Sequence, residues 1–247
     1  MHSPVEQFAI KVLFALNLFG FDIQFTNSAL FMVLAVLVSS VFLYMAMKPA
    51  AVIPGRMQGL AEMLYEFVAD MVRSNVGNEG KPYFPFIFTL FIFVLFSNLL
   101  GLIPYSYTTT SQIVVTFAMA IVIFLGVTVI ALIKHGLHFF SFFVPAGAPK
   151  VLIPLLVRIE VISYFVRPVS LSVRLFANML AGHTMLKVFG GLAVMIASAG
   201  GVFVAGSILP LVAIVGLTGL EILVAVLQAY VFTILTCMYL NDALHLH

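Results

Sequence analysis

Charge is what this chain has least of: 8% of its 247 residues are Asp, Glu, Lys or Arg. Soluble globular proteins carry about 25%, so an ordinary water-facing surface is excluded. The few charges nearly cancel, at 11 basic against 9 acidic. With no Lys/Arg-rich tract among them, nucleic acid is excluded as a partner. Cysteine occurs once, at Cys237, which excludes an internal disulfide and any multi-cysteine metal site. A Gly-x-x-x-x-Gly-Lys-Ser/Thr phosphate loop is missing too, so the chain brings no nucleotide chemistry of its own. It also lacks a second copy of its most polar segment, around Arg174, although paired repeats with interrupted helices are the usual mark of a self-contained secondary transporter.

What is present is hydrocarbon. Hydrophobic residues make up 63% of the chain and the mean hydropathy is +1.21. An all-α integral membrane protein follows, divided into spans of about 20 residues that satisfy their own backbone hydrogen bonds. Residues 1–27 hold a short apolar run interrupted by Lys11 and Asn17. It resembles a signal core, but no small-residue cleavage pattern follows it, and an interfacial segment is the expectation. Spans are predicted at 28–47, 83–103 and 113–133. Between the first two, residues 56–76 place Glu62, Glu66 and Asp70 at four-residue spacing opposite Leu60, Met63, Leu64, Phe67 and Met71. That is an amphipathic helix lying at the membrane surface. Residues 151–240 are too long for two perpendicular crossings and carry polar side chains throughout, which predicts a strongly tilted helical hairpin turning near Gly190, Gly191, Gly200 and Gly201.

Lys48, Arg56, Arg73 and Lys81 flank one link, and Lys134 and Lys150 another, whereas residues 105–112 are uncharged. The basic links are therefore expected in the cytoplasm, the N-terminus outside and the C-terminus inside.

The most informative residue is Arg174. A guanidinium stays protonated at physiological pH, and burying it at membrane depth costs several kcal/mol, roughly, unless it meets a partner or water. On a regular helix Glu160, Ser163, Arg167, Ser170 and Asn178 fall within about 40° of its line, and His183 points away. Pro168 interrupts that register. Glu221 and Gln228 share a face of the last helix. Histidine and a partly buried carboxylate can both titrate near neutral pH, whereas Arg174 cannot. Read alone, each has a structural alternative. Arg174 could bond carbonyls, His183 could be a packing hydrogen-bonder, and Asn178 and Gln228 could be interhelical bonds. His135 and His138 have no third ligand nearby, so no metal is expected, and His245 and His247 belong to a tail.

The string Arg167-Pro-Val-Ser170-Leu-Ser-Val-Arg174-Leu-Phe-Ala-Asn178-Met-Leu-Ala-Gly182-His183, with Glu221-Ile-Leu-Val-Ala-Val-Leu-Gln228-Ala-Tyr230, closely resembles subunit a of F-type ATP synthases. Ser97-Asn98-Leu-Leu-Gly101 and Glu62-Met-Leu-Tyr-Glu66 extend the resemblance over essentially the whole chain. The resemblance implies a non-catalytic, proton-translocating stator subunit without a cofactor, in a cell inner membrane. Its partners would be a c-ring of proteolipids, b-type peripheral stalk subunits and the rest of the synthase. It further implies that Arg174 is the stator arginine facing the ring and that Asn178 and Gln228 are its polar neighbours. His183 and Glu221 would form the acid/base pair of the outer half-channel, and Glu160 and Ser170 would line the cytoplasmic one. Some bacterial members carry the carboxylate and histidine on exchanged helices, and the arrangement here resembles the mitochondrial branch.

Overall fold

The computed structural model describes residues 10, 12–18, 21–48, 51, 53–103, 106–136, 139, 152–200 and 203–245. Lys11, Pro49, His138, Lys150 and His247 lie outside the described residues, as does part of the expected N-terminal interfacial segment. The described part of that segment is not helical. It forms an antiparallel hairpin of β1 (Val12–Leu18) and β2 (Phe21–Thr26), with Leu18 opposite Phe21 and Ala15 opposite Gln24.

The rest is helical: α1 (Asn27–Met47), α2 (Arg56–Asn75), a 3-10 turn Gly77–Tyr83, α3 (Phe84–Gly101), a 3-10 turn Thr109–Ser111, α4 (Ile113–His135), α5 (Ile153–Ser198), the short α6 (Phe203–Gly206) and α7 (Ile208–Leu244). Two of these boundaries have a clear local cause. The α1 entry is capped by side-chain oxygens: the Ser28 N–H donates to Asn27 Oδ1 and the Ala29 N–H to Thr26 Oγ1, satisfying donors that a helix N-terminus leaves open. Helix α2 closes where Asn75 Nδ2 donates to the Met71 carbonyl at 2.7 Å. The chain then turns at Gly77, whose φ of 74° suits a residue without Cβ. Several span hydroxyls bond inside their own helices, as when Ser39 donates to the Val36 carbonyl and Thr89 to that of Pro85, whereas the buried Ser28, Ser97 and Ser172 hydroxyls have no partner among the described residues.

Five described segments are long and apolar enough to cross a bilayer: Asn27–Met47, Gly77–Gly101, Ile113–His135, Ile153–Ser198 and Ile208–Leu244. Their outward faces are apolar, with Leu209 78% and Val215 74% exposed. Such continuous apolar surface belongs against lipid or another subunit, not water. Helix α5 runs 46 residues without a break, about 69 Å at 1.5 Å per residue. Gly190 and Gly191 therefore lie inside a helix rather than in a turn. The reversal comes later, at Gly200 with φ 76°. Backbone hydrogen bonding explains this: in hydrocarbon an unsatisfied peptide group costs more than the roughly 1 kcal/mol helix penalty of a glycine, so the helix continues through the pair.

By contact the chain divides into two compact units. One comprises Met1–Phe42, Ile92–Gln112 and Leu175–Ala229, the other Leu43–Phe91, Ile113–Arg174 and Tyr230–His247. In the first, Phe91's neighbour Ile92 begins the α3 portion that contributes Val94 and Leu95 to the core, with Leu175, Met179 and Ala225 from α5 and α7. In the second, Val68 and Val72 of α2, Ile87 and Phe91 of α3, Ile123 of α4 and Phe232 of α7 are buried. Phe67 there meets Phe91 and Tyr230 with ring centroids at 5.8 and 5.7 Å.

Candidate functional site

Membrane-spanning helices rarely bury polar side chains, yet the first unit buries a cluster of them. Ser97 and Asn98 of α3, Thr108 to Ser111 of the following link, and Glu221 and Gln228 of α7 are all at most 8% exposed. His183 of α5 joins them. Its Nε2 lies 2.9 Å from Thr108 Oγ1 and its Nδ1 lies 3.7 Å from Glu221 Oε1. The second distance is too long for a direct hydrogen bond but short enough for a charged pair or a bridging water. Glu221 Oε1 is buried and has no protein hydrogen-bond partner, so that oxygen has capacity to accept one. Asn98 Nδ2 donates to the Ala225 carbonyl at 3.1 Å, one helical turn beyond Glu221, which fastens α3 to α7 beside the carboxylate.

Glycine makes this cluster possible. A Cβ on Gly182 would overlap Glu221 Oε1 and lie 2.9 Å from its Cγ. The carboxylate thus occupies the space that any other residue at 182 would fill. Gly101 is similarly tight, since a Cβ there would come within 2.7 Å of Thr108 Cγ2. That contact, with Ser106 Oγ donating to the Leu100 carbonyl at 2.6 Å, presses the polar link onto the end of α3. Gly182→Ala is therefore expected to leave the chain assembled, because the clash falls on the flexible end of one side chain. If His183 and Glu221 carry protons, as the resemblance implies, it should still cut proton flux by up to about a hundredfold, the scale at which a displacement of about 1 Å affects a positioned group. Flux measured in vesicles alongside subunit content checks this, and normal flux in the assembled variant would refute the geometry.

In the second unit Arg174 lies near the midpoint of α5, exposed, with Ser170 and Ser163 also exposed on its helix and Glu160 half-buried. Tyr164 and Leu171 form the buried side there. Asn178, one turn on, is exposed as well. No hydrogen bond or ion pair joins Arg174 to another described residue. Arg167 behaves differently although its Cα lies close to the same line. Its Nη1 donates to Asp242 Oδ2 at 2.9 Å, and its guanidinium stands 5.5 Å from the Tyr164 ring centroid and 5.2 Å from that of Tyr239. Thr128 Oγ1 lies 2.6 Å from the Tyr164 hydroxyl, so α4, α5 and α7 share one polar knot. At side-chain exposures of 21% and 38% the ion pair contributes on the order of 1 kcal/mol, with about as much again from the two rings. Arg167 is thus a fastening residue rather than part of an open stripe.

Sequence reasoning singled out His183 and Glu221, and the structure brings them together. It did not single out Thr108, Gly182 or the Asp242 partner of Arg167 as site residues. The signal for Thr108 was present as an unbroken polar run in a membrane chain. The Asp242 and Gly182 contacts depend on which helices pack and leave no local trace. Among the described residues no group of three or more His, Cys, Asp or Glu could hold a metal. Tyr107, in the link, is also buried at 6% exposure. Burial pushes its phenol up from the ordinary value, and a Gln112 hydrogen bond acts in the opposite direction.

Comparison with known proteins gives a consistent result. The family model described as ATP synthase A chain matches residues 29–241. The protein named ATP synthase subunit a of Rhodospirillum rubrum is 55% identical over 247 residues, covering 100% of both chains. Those of Parvibaculum lavamentivorans and Mesorhizobium japonicum are 56% and 57% identical, each over 98% of this chain and over 94% and 96% of their own. With a half-buried histidine beside a buried carboxylate, an exposed mid-helix arginine and near-complete coverage at this identity, the chain belongs to the ATP synthase A chain family.

Proposed function

We propose that this chain is the non-catalytic, proton-translocating stator subunit of an F-type ATP synthase, with Arg174 as the fixed charge that couples proton flow to rotation of a ring of c-type proteolipids. Membership of the family supports the membrane-sector role. The single observation that carries the residue-level reading is Arg174 itself, a permanent cation on the exposed side of a membrane helix with no ion-pair partner among the described residues. Such a charge is stable at that depth only where another subunit or water meets it, and a rotor carboxylate supplies the opposite sign.

The chemistry follows from which groups can titrate. A rotor carboxylate is neutral against lipid and ionised opposite Arg174, so each passage requires one proton lost and one regained. His183, held by Thr108, and Glu221 hand protons between the outer aqueous phase and the rotor. Glu160 and Ser170 border the path to the cytoplasm, and Asn178 and Gln228 are the polar neighbours that hydrate the charged groups. Each elementary charge moved contributes about 2.3 kcal/mol per 100 mV. Placing the basic links inside puts the N-terminus in the periplasm and the C-terminus in the cytoplasm of an inner-membrane protein, with b-type subunits of the peripheral stalk holding it against the rotor. A self-contained transporter is not favoured, because the family match covers the chain and no second copy of the Arg174 segment exists.

The test places a cysteine at Asn178 after Cys237, which is buried, has been replaced by serine. The thiol is expected to crosslink to a rotor helix or to react with a water-soluble maleimide in the assembled complex. Failure of both would show that this side of α5 meets neither rotor nor water.

A further inference from the structure

A second concentration of charge lies within the second unit, where the amphipathic helix gives way to α3. Gly77 reverses the chain, and Gly80 then packs so closely on the end of α2 that a Cβ would come within 2.8 Å of Val72 Cγ1 and 2.9 Å of Val76 Cβ. This return brings Lys81 back beside Arg73 of the last α2 turn. The two cations line one cavity of about 310 Å³, walled by Tyr65, Val72 and Phe84, with room for roughly ten waters. Tyr65 and Phe84 meet edge to face at 4.8 Å between centroids, giving the wall a fixed aromatic surface. Neither Arg73 nor Lys81 has an ion-pair partner among the described residues, whereas Glu79 in the same turn is taken by Lys134. No carboxylate lines the cavity.

We propose that this cavity binds the phosphate-bearing headgroup of an anionic phospholipid, with Arg73 and Lys81 on the phosphate and Tyr65 and Phe84 against the glycerol and the first methylenes. The depth argues for lipid. The apolar segment Gly77–Gly101 starts here, and α2, with its exposed acids Glu62, Glu66 and Asp70, cannot cross the hydrocarbon. The cavity therefore opens at the level where headgroups lie. Guanidinium and ammonium groups with aromatic neighbours are the usual equipment at that level, and two unpaired cations beside apolar walls match one headgroup in both charge and polarity. The site shares no lining residue with the proposed proton path and places a lipid between the surface helix and the span that follows it.

The test uses the assembled complex in vesicles of phosphatidylcholine containing a small fraction of phosphatidylglycerol with a photoreactive headgroup. Label is expected on residues 65–84 and should be chased by unlabelled phosphatidylglycerol but not by phosphatidylcholine or inorganic phosphate. Two surface cations are each worth a factor of about five for anionic lipid, so Arg73→Gln with Lys81→Gln should reduce labelling roughly 25-fold. Lys48→Gln, outside the cavity, should leave it unchanged. Equal labelling by a choline analogue, or persistence in the double variant, would overturn the proposal. Displacement by inorganic phosphate would assign a free anion instead. Absence of label on 65–84 in the unaltered complex would mean that a protein covers this face, and would equally overturn the proposal. The chase needs no substitution, so it decides the matter even if the double variant fails to assemble.

Discussion

Arg174→Ala is expected to reduce proton-driven ATP synthesis to background, a loss of at least about two orders of magnitude on the scale of removing one charge-stabilising group, while the chain still inserts and assembles. The structure separates the two effects. Arg174 is exposed and has no ion pair or hydrogen bond among the described residues, so its loss breaks no packing, and substitutions of that kind usually change stability by less than about 0.5 kcal/mol. What disappears is the guanidinium nearest the middle of α5, the permanent cation that the proposed function sets opposite an ionised rotor carboxylate. Lysine should substitute poorly, because its ammonium is a point charge without the planar fork and loses its proton more readily when desolvated. Synthesis measured in inverted vesicles, with subunit content assayed alongside, distinguishes coupling from assembly. Near-normal synthesis in an assembled Arg174→Ala complex would overturn the assignment.

The second large effect is expected at the buried pair. Glu221→Gln and His183→Ala should each slow proton flux strongly, since each removes one of two titratable groups whose closest atoms are 3.7 Å apart. The exchange His183→Glu with Glu221→His should retain more flux than the worse of its two single swaps. A relay needs one proton acceptor on each helix and is less particular about which helix carries which. Residues in such contact couple, with interaction energies of about 0.5–3 kcal/mol in either direction, so the cycle of two singles and the double should be far from additive. Additive defects, or singles without effect, would return His183 to a packing role beside Thr108.

The membrane class and the helical architecture were legible, and the polar residues of the candidate site were conspicuous, because each rests on composition or on helical spacing, which are local. Arg174 in an apolar run is conspicuous whatever the fold. Glu221 and His183 were legible one by one, as ionisable groups at depth, and their pairing was suggested by the family resemblance. What was not legible is contact. The return of α7 that sets Asp242 against Arg167 depends on how two helices lie, and a repeating hydrophobic pattern is nearly silent on that when both faces are apolar. Angular position alone put Arg167 on the Arg174 stripe, yet a long side chain can swing toward a partner that the helical wheel does not contain. Gly190 and Gly191 misled for a related reason. Paired glycines read as a turn in water, where exposed peptide groups find solvent, but in a bilayer the helix is the only local way to satisfy them.

Gly182 also constrains how this protein can diverge. The carboxylate at 221 stands in the volume that a side chain at 182 would need, so sequence drift at the two positions cannot be independent. A chain that acquired alanine at 182 would displace the Glu221 carboxylate, and to keep its flux would have to shorten residue 221 or move the acid to another helix. A lineage that relocated the acid would lift the constraint and leave 182 free to vary. Substitutions at 182 and 221 should therefore appear together along a family tree, and glycine at 182 should persist longest in the branches that keep glutamate at 221.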